Sequence, residues 1–236
     1  MPAALLTGVG RPNGIAAAVA RTLAGGGWNL GLHHFDEDPA SWLPELGGVD
    51  TALHHDDLGD PDAPARTFAT LEAAVGPFDA LVIVHTHCVT AGLMDTTAEA
   101  LDRHHAVNVR APLLLIQRFA ERLTSGRGRI LAFTSDHFTP ANLAYGATKA
   151  ALDRVVLAAA RELAPRGITA NCINPGPTDT GWMTAEVYED ARRRTPMGRV
   201  GLPDDAARLV RFLCSDAGGW MTGQVLYSNG GFRLNP

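Results

Sequence analysis

The chain has 236 residues, of which 46% are hydrophobic and 19% charged, a balance that predicts a globular protein with one sizeable core. Its formal net charge of −5 at pH 7 offers no basic surface to a nucleic-acid partner. No apolar run is long enough to span a membrane, and no charged and apolar leader precedes the first strand pattern, so we expect a cytoplasmic protein without a membrane partner.

Apolar strand patterns alternate with amphipathic helical patterns along the chain. The predicted strands are 3–7, 28–33, 49–54, 79–84, 129–134, 167–173 and 224–227. The predicted helices are 15–25, 61–75, 97–124, 143–164 and 203–214. This alternation predicts an α/β fold: one doubly wound Rossmann-type domain over 1–236, with a seven-stranded parallel sheet and helices on both faces.

A glycine-rich segment, TGVGRPNGIA at 7–16, joins the first predicted strand to the first predicted helix. Gly8 follows the strand, Gly14 precedes the helix, and Ile15 begins the helix face that packs on the sheet. Ligands of doubly wound sheets bind at the carboxyl ends of the strands, where N–H groups of a helix N-terminus can hold a diphosphate. The loop is longer than G-x-G-x-x-G, and Ala16 stands where a last glycine could be, so an ordinary turn stays an alternative.

The end of the second predicted strand bears on the choice of dinucleotide. An acid there binds the ribose 2′-hydroxyl of NAD, whereas a base accommodates the 2′-phosphate of NADP. The segment reads LHHFDED at 32–38, with His34 nearest the expected acid and Asp36 two residues later. Arg11 could reach the same pocket, and its guanidinium suits a phosphate, so we expect NADP(H) rather than NAD(H).

The sequence HTHC at 85–88 raises the question of a metal site, and the chain holds nine histidines. Zinc needs three or four converging ligands, and no second ligand pair at a diagnostic spacing is nearby, so we predict no metal. The three cysteines, Cys88, Cys172 and Cys214, are far apart and predict reduced side chains.

The segment YGATKAAL at 145–152 carries the strongest chemical signal. Tyr145 and Lys149 are four residues apart and therefore share one helix face, and Ser135 ends the preceding strand. A nearby ammonium is expected to lower the tyrosine pKa, so that Tyr145 could donate a proton to a carbonyl oxygen oriented by Ser135. His137, two residues past Ser135, is predicted to contact the substrate. A surface helix with an incidental Tyr/Lys pair is the alternative.

The segment 181–199 follows a Pro-Gly turn and is interpreted as a substrate lid, with Trp182 and Met183 in its apolar wall. An amphipathic surface helix ending in the arginines at 192–194 would show the same pattern. Those arginines suit either solvent or the surface of a carrier protein.

These motifs occur in one order that resembles the short-chain dehydrogenase/reductase family over nearly the whole chain. The matching segments are TG…GIA from residue 7, DL at 57–58, Asn108 in VNVRAP, Ser135, Tyr145-x-x-x-Lys149, NPGPTDT at 174–180 and GQVLYSNGGF at 223–232. The TGV-x-R-x-x-GI loop and the tail from PMGRVGLPDDAA onward resemble 3-oxoacyl-[acyl-carrier-protein] reductase-like members.

The resemblance implies four catalytic residues, Asn108, Ser135, Tyr145 and Lys149. It implies that Lys149 lowers the pKa of Tyr145 and holds the nicotinamide ribose, and that Asn108 kinks a long helix and anchors a relay water. Together with the residues identified above, the predicted cofactor site comprises Gly8, Arg11, Gly14, Ile15, His34, Asp57, Leu58, His85, Tyr145, Lys149, Pro175, Gly176, Thr178 and Thr180.

The predicted function is therefore that of an NAD(P)(H)-dependent oxidoreductase that reduces a 3-oxoacyl or polyketide-like ketone, working as a dimer or tetramer. Two departures from the family pattern leave a catalytically silent cofactor-binding homologue open. Ile83-Val84-His85-Thr86 replaces the usual Asn-Asn-Ala-Gly of the family. The segment from Ser135 to Tyr145 is about three residues shorter than is usual in the family that the chain resembles. A biosynthetic reductase acting on an iminium or aromatic carbonyl is a further alternative.

Overall fold

Seven parallel strands form one sheet in the computed structural model, which describes residues 1–124, 126–137 and 140–232. The strands are β1 (Ala3–Thr7), β2 (Asn29–His34), β3 (Thr51–His55), β4 (Ala80–Ile83), β5 (Gly128–Phe133), β6 (Ile168–Asn174) and β7 (Val225–Tyr227). Their spatial order is β3-β2-β1-β4-β5-β6-β7. The predicted doubly wound α/β fold is confirmed; the last four residues of the predicted domain, 233–236, lie outside the described residues.

Seven α-helices of the described chain cover both faces of the sheet. They are α1 (Ile15–Ala24), α2 (Ala63–Val75), α3 (Ala98–His105), α4 (Ala111–Arg122), α5 (Leu143–Leu163), α6 (Ala185–Arg194) and α7 (Pro203–Cys214). Residues of α2, α4 and α5 pack in one apolar cluster on one face, and residues of α1 and α7 pack in a second cluster on the other. The central strands are buried on both faces, which is why they read as continuous apolar runs rather than alternating patterns. None of the helices in these ranges is both long and apolar enough to cross a membrane.

The predicted long helix at 97–124 is divided by a wider π turn at Ala106–Arg110. Pro112 has no N–H to donate to the carbonyl of Asn108 four residues earlier, which accounts for a change of helical pitch at this point. Asn108 lies at the centre of the turn and is buried. The turn therefore directs a buried amide toward the loop that follows β4.

The chain reverses its direction of travel across the sheet between β1 and β4, which are neighbours in space. Connections from the two strands leave in opposite directions, so a crevice opens beyond their carboxyl ends. Thr7 ties the two ends together: its Oγ1 accepts a hydrogen bond from Val84 N at 3.2 Å. The candidate site is built around this crevice.

Candidate active site

Lys149 is the single lysine of the chain, since the remaining 19 of its 20 basic Lys and Arg residues are arginines. Its side chain is 3% exposed, and Nζ donates a hydrogen bond to the Phe133 carbonyl at the end of β5, 2.8 Å away. Burial lowers the pKa of Lys149 to about 8, and the negative charge of Asp153, one turn further along α5, opposes that shift. The lysine therefore remains largely cationic at neutral pH in an apolar setting, where its charge acts strongly.

Tyr145 lies one turn before Lys149, with the lysine nitrogen 5.8 Å from the centre of its ring. Burial raises the pKa of Tyr145 to about 12, and the nearby Ser135 hydroxyl offsets part of that effect. The net shift is therefore opposite to the lowering expected from Lys149, because desolvation of the phenolate dominates. Tyr145 is consequently a protonated phenol at neutral pH, which is the form that donates a proton.

A chain of neutral polar groups leads from Ser135 across the crevice. The Ser135 Oγ accepts a hydrogen bond from the backbone N–H of His137 at 3.1 Å, and the His137 ring stands edge-on to Tyr145 at 6.2 Å. Asn142 Nδ2 contacts His137 Nε2 at 3.1 Å, and Asn142 Oδ1 accepts from the Cys88 thiol at 3.7 Å. His137, predicted to contact the substrate, thus lies beside Tyr145, and its role toward a substrate stays a prediction; Asn142 and Cys88 were not predicted at this site.

Asn108 holds the loop after β4 through its side chain. Its Oδ1 accepts a hydrogen bond from the backbone N–H of His87 at 2.7 Å, and its Nδ2 donates to the His87 carbonyl at 2.9 Å and to Thr148 Oγ1 at 3.0 Å. Thr148 precedes Lys149 on α5, so the amide connects the π turn with the helix that carries the tyrosine and lysine. Four predicted catalytic residues thus meet at the carboxyl edge of the sheet.

The glycine loop lies beside this edge, next to His85. Gly8 has φ +76°, and a Cβ on it would lie 2.6 Å from the backbone of His85, so only glycine fits there. The His85 ring is buried, with Nδ1 2.7 Å from Thr7 Oγ1 and Nε2 3.1 Å from the Val107 carbonyl. Burial lowers the pKa of His85 to about 3, so it is neutral and serves the structure of the crevice floor. Gly14 and Ile15 begin α1, as predicted.

At the end of β2, Arg11 forms an ion pair with Glu37, with Nε 2.9 Å from Oε1 and about half of each side chain exposed. His34 is buried and its Nδ1 lies 3.0 Å from the Glu37 carbonyl, so it shapes the turn rather than facing outward. Glu37 was not predicted at this position, where the sequence pattern pointed to His34 and Asp36. The acidic run 36–38 was visible, but only the folded turn shows which acid meets Arg11.

Asp57 and Leu58, which were predicted to contact the adenine of the cofactor, bond to or pack against other parts of the protein in this structure. Asp57 Oδ1 accepts hydrogen bonds from Gly59 N at 2.8 Å and from the Arg103 guanidinium at 2.8 Å. The pKa of Asp57 is lowered: burial acts in the opposite direction, but the bonds from Arg103 and the Gly59 N–H outweigh it. Leu58 is buried in the core cluster on the α2 side.

The turn after β6 borders the crevice on its other side. Gly176 has φ +61°, and its N–H donates to Asn174 Oδ1 at 2.9 Å. Thr178 is buried and its Oγ1 bonds to the Gly176 carbonyl at 3.2 Å, whereas Pro175 and Thr180 are half-buried. The backbone of this turn is therefore held by its own side chains.

Beyond this turn, Trp182 is 58% exposed and Met183 half-buried, ahead of helix α6. The arginines of α6 pair with acids of the same helix: Arg192 Nε lies 2.9 Å from Glu189, and Arg193 3.3 Å from Asp190. Within residues 1–124, 126–137 and 140–232, no three His, Cys, Asp or Glu side chains converge as metal ligands.

Comparison with known proteins identifies the family of the chain. The family model described as Enoyl-(Acyl carrier protein) reductase matches residues 8–233. The chain is a member of the short-chain dehydrogenase/reductase family. This family membership confirms the resemblance drawn from the ordered motifs.

Relatives within the short-chain dehydrogenase/reductase family span almost the whole chain. An uncharacterized oxidoreductase of Bacillus subtilis, YjdA, is 38% identical over 97% of this chain and 96% of its own length. Versicolorin reductase 1 of Aspergillus parasiticus is 31% identical over 97% of this chain and 95% of its own. The structure of a short-chain dehydrogenase from Burkholderia cenocepacia in complex with NADP has a TM-score of 0.90 at 32% identity, covering 98% of this chain and 97% of that one. The protein is accordingly an oxidoreductase by family.

Proposed function

We propose that this short-chain dehydrogenase/reductase is an NADP(H)-dependent carbonyl reductase that converts a ketone to an alcohol, with Tyr145 as the proton donor. One observation carries the proposal. A phenol whose pKa is raised to about 12 stands one helical turn from the single, buried lysine, at the edge of the sheet where a dinucleotide binds in this fold. A phenol in that state gives up a proton only to a strongly basic oxygen, such as the one that develops when a carbonyl carbon is reduced.

The residues at the crevice fit a dinucleotide. Gly8 leaves no side chain between the loop and the floor, and the N-terminus of α1 at Gly14 offers free N–H groups and a favourable helix dipole to a diphosphate. We assign the adenosine end to the pocket near Arg11 and Asp57, and the nicotinamide end to Lys149 and the turn at Pro175 and Gly176. A bound nicotinamide dinucleotide would supply the hydride to the carbonyl carbon.

The protein's own residues handle the proton. Tyr145 transfers its phenolic proton to the carbonyl oxygen, so that the alcohol forms and the phenolate remains. Ser135 donates a hydrogen bond to the same oxygen and orients it. The Lys149 charge stabilises the phenolate until the proton is replaced. Asn108 holds the loop after β4 in place against α5 through its hydrogen bonds to both.

We propose NADP(H) over NAD(H) because Arg11 lies at the end of β2, where a 2′-phosphate could replace Glu37 as the partner of its half-exposed guanidinium, and because the Burkholderia cenocepacia relative holds NADP. For the substrate we propose a 3-oxoacyl or polyketide-like ketone. The segment that follows the turn at Pro175 and Gly176 carries the apolar side chains of exposed Trp182 and half-buried Met183. The neutral polar groups around His137 suit an uncharged carbonyl compound, and one relative is named as a versicolorin reductase. The 181–199 segment is proposed as the lid.

A catalytically silent homologue is the competing proposal. The short Ser135–Tyr145 segment favours it in sequence, yet the serine hydroxyl still influences the tyrosine pKa in the fold, which supports the active alternative. The replacement of Asn-Asn-Ala-Gly is accommodated by buried Ile83 and the bonded ring of His85. Homo-oligomeric assembly stays a prediction from the resemblance and a cytoplasmic location one from the sequence pattern, to be tested by light scattering and fractionation.

Oxidation of NADPH against a panel of 3-oxoacyl thioesters and aromatic ketones tests the function, with Tyr145→Phe as the matched variant. The phenylalanine keeps the ring and removes only the hydroxyl. We expect kcat to fall about 100- to 10,000-fold while the Kd for NADPH changes by less than about twofold. Equal turnover by the two proteins would remove Tyr145 from the chemistry, and no turnover of any ketone by the unsubstituted protein would favour the silent homologue.

A further inference from the structure

The outer side of the glycine loop is held by two side chains from other elements. We infer that Trp42 and Arg21 are positioning residues that orient the peptide groups of this loop toward a diphosphate. The inference rests on the proposed dinucleotide-binding function. We call Trp42, Arg21 and Glu45 the loop brace.

Trp42 lies in the connection between β2 and β3, between two short 3-10 turns at Pro39–Ser41 and Leu43–Leu46. It is among the largest fully buried side chains of the protein, and it packs in the apolar cluster that includes α1. Its indole Nε1–H donates to the Gly10 carbonyl at 2.9 Å. A buried indole N–H is costly to leave without an acceptor, so this bond fixes the direction of that carbonyl.

Arg21 holds a second carbonyl of the same loop from α1. Its guanidinium NH1 donates to the Pro12 carbonyl at 2.7 Å, and its Nε pairs with Glu45 at 2.5 Å. The guanidinium carbon stands 5.1 Å from the centre of the Trp42 ring, a cation–π contact. The two donors therefore support each other and act on carbonyls two residues apart.

Because the directions of the Gly10 and Pro12 carbonyls are fixed, the directions of the next two peptide N–H groups are fixed as well. All described peptide bonds are trans, and in a trans peptide the C=O and the following N–H point in opposite directions. The Gly10 bond thus aims the N–H of Arg11 away from Trp42, and the Pro12 bond aims the N–H of Asn13 away from Arg21. Neither N–H donates to another protein group in the part of the chain that the structure describes. Backbone donors of this kind are what hold an anion ahead of a helix N-terminus.

The length of the glycine loop explains why side chains from other elements have to hold it. Residues 8–14 belong to neither a helix nor a strand, and backbone bonds hold mainly the two ends of the loop: Val9 N donates to the His33 carbonyl at 2.9 Å, and Gly14 N donates to the Arg11 carbonyl at 3.0 Å. An unsupported loop would lose more conformational entropy on binding a ligand, which weakens affinity. The loop brace removes that freedom beforehand.

The test compares Trp42→Phe with Trp28→Phe. Trp28 packs against the same apolar cluster but, among the described residues, its indole makes no hydrogen bond. Phenylalanine at position 42 keeps an aromatic ring for Arg21 and loses the N–H. Binding is measured as the fluorescence enhancement of NADPH itself, because changes in protein tryptophan would confuse intrinsic emission.

We expect the Kd for NADPH, and the KM for NADPH, to rise about three- to tenfold in Trp42→Phe and less than about twofold in Trp28→Phe. The kcat and the KM for the ketone should stay within about twofold, since the brace does not touch the catalytic residues. Equal NADPH affinities for the two variants, after both are shown to be folded by thermal melting, would overturn the inference.

A second pair of variants decides the question if Trp42→Phe does not fold. Arg21→Lys retains the charge and loses the fork that reaches both Pro12 and Glu45, whereas Arg122→Lys makes the same change at an exposed ion pair with Glu72. A weaker NADPH affinity only in Arg21→Lys supports the brace, and equal affinities refute it. If the unsubstituted protein binds neither NADPH nor NADH, the proposed function itself fails, which is a different result from normal binding with no effect of the brace variants.

Discussion

Replacing Lys149 with methionine is expected to make the protein more stable at neutral pH while its reductase activity falls about 100-fold or more. Methionine fills a similar volume without a charge. The Lys149 ammonium is desolvated by burial, and its Nζ hydrogen bond to the Phe133 carbonyl compensates only in part. The substitution therefore separates the contribution of the lysine to chemistry from its effect on folding.

The magnitude follows from the pKa. Lowering the pKa of Lys149 from 10.5 to about 8 means that the unfolded chain binds the proton more tightly, so stability rises with pH between these values. At about 1.4 kcal/mol per pKa unit, the charged lysine destabilises the folded state by about 3 kcal/mol at pH 7 and by about 1.4 kcal/mol at pH 9.5. The methionine loses one hydrogen bond, worth about 1 kcal/mol, at both pH values. The variant should therefore be about 2 kcal/mol more stable at pH 7 and nearly equal at pH 9.5.

Urea unfolding of both proteins at pH 7 and pH 9.5 measures this difference. Arg161→Met, an exposed substitution on the same helix, controls for removal of a positive charge. Because the chain has one lysine, selective isotope labelling of lysine gives a single side-chain NMR signal from which the pKa is read directly. A methionine variant that is no more stable at pH 7, or whose advantage does not shrink by about 2 kcal/mol at pH 9.5, would refute the reasoning.

Two further predictions concern the adenosine pocket and acid stability. Glu37→Gln removes the carboxylate that pairs with Arg11 at 2.9 Å, and since a half-exposed ion pair contributes below about 1 kcal/mol, the Kd for NADPH should fall about two- to fivefold relative to that for NADH. Asp216→Asn makes the same charge change beside Arg127, and an equal shift in both variants would indicate a general charge effect. Burial lowers the pKa of His33 to about 4 and of His85 to about 3, so the unfolded chain takes up protons first and stability is lost as pH falls below about 6.5. Protonation of His33 and His85 should together lower the free energy of unfolding by about 4 kcal/mol between pH 7.5 and pH 5. Chemical denaturation of His85→Gln should show about half of that loss. A variant with the same pH dependence as the unsubstituted protein would contradict the assignment.

Sequence patterns predicted the order of the seven strands and of five helical segments, and the shared helix face of Tyr145 and Lys149; helix α6 lies in the segment interpreted as a lid, where a surface helix was the alternative. The order and the shared face both depend on local periodicity, because side chains two residues apart share a strand face and side chains four residues apart share a helix face. The family motifs predicted the fold and placed the site at the carboxyl edge of the sheet, since segments that follow parallel strands gather at the carboxyl ends of those strands. The helix at 97–124 was predicted as one element, and its π turn at Asn108 was expected only as a kink inferred from the family.

Burial in the folded chain sets the pKa values of the site residues, and packing between distant segments sets their hydrogen-bond partners. The raised pKa of Tyr145 and the lowered pKa of Lys149 arise from burial, which depends on how α5 packs on the sheet and not on the spacing of the two residues. Arg11 is 26 residues from Glu37, and Trp42 is 32 residues from Gly10. Contacts at such separations form only when the chain has folded, so no pattern in a short window of the sequence could identify them.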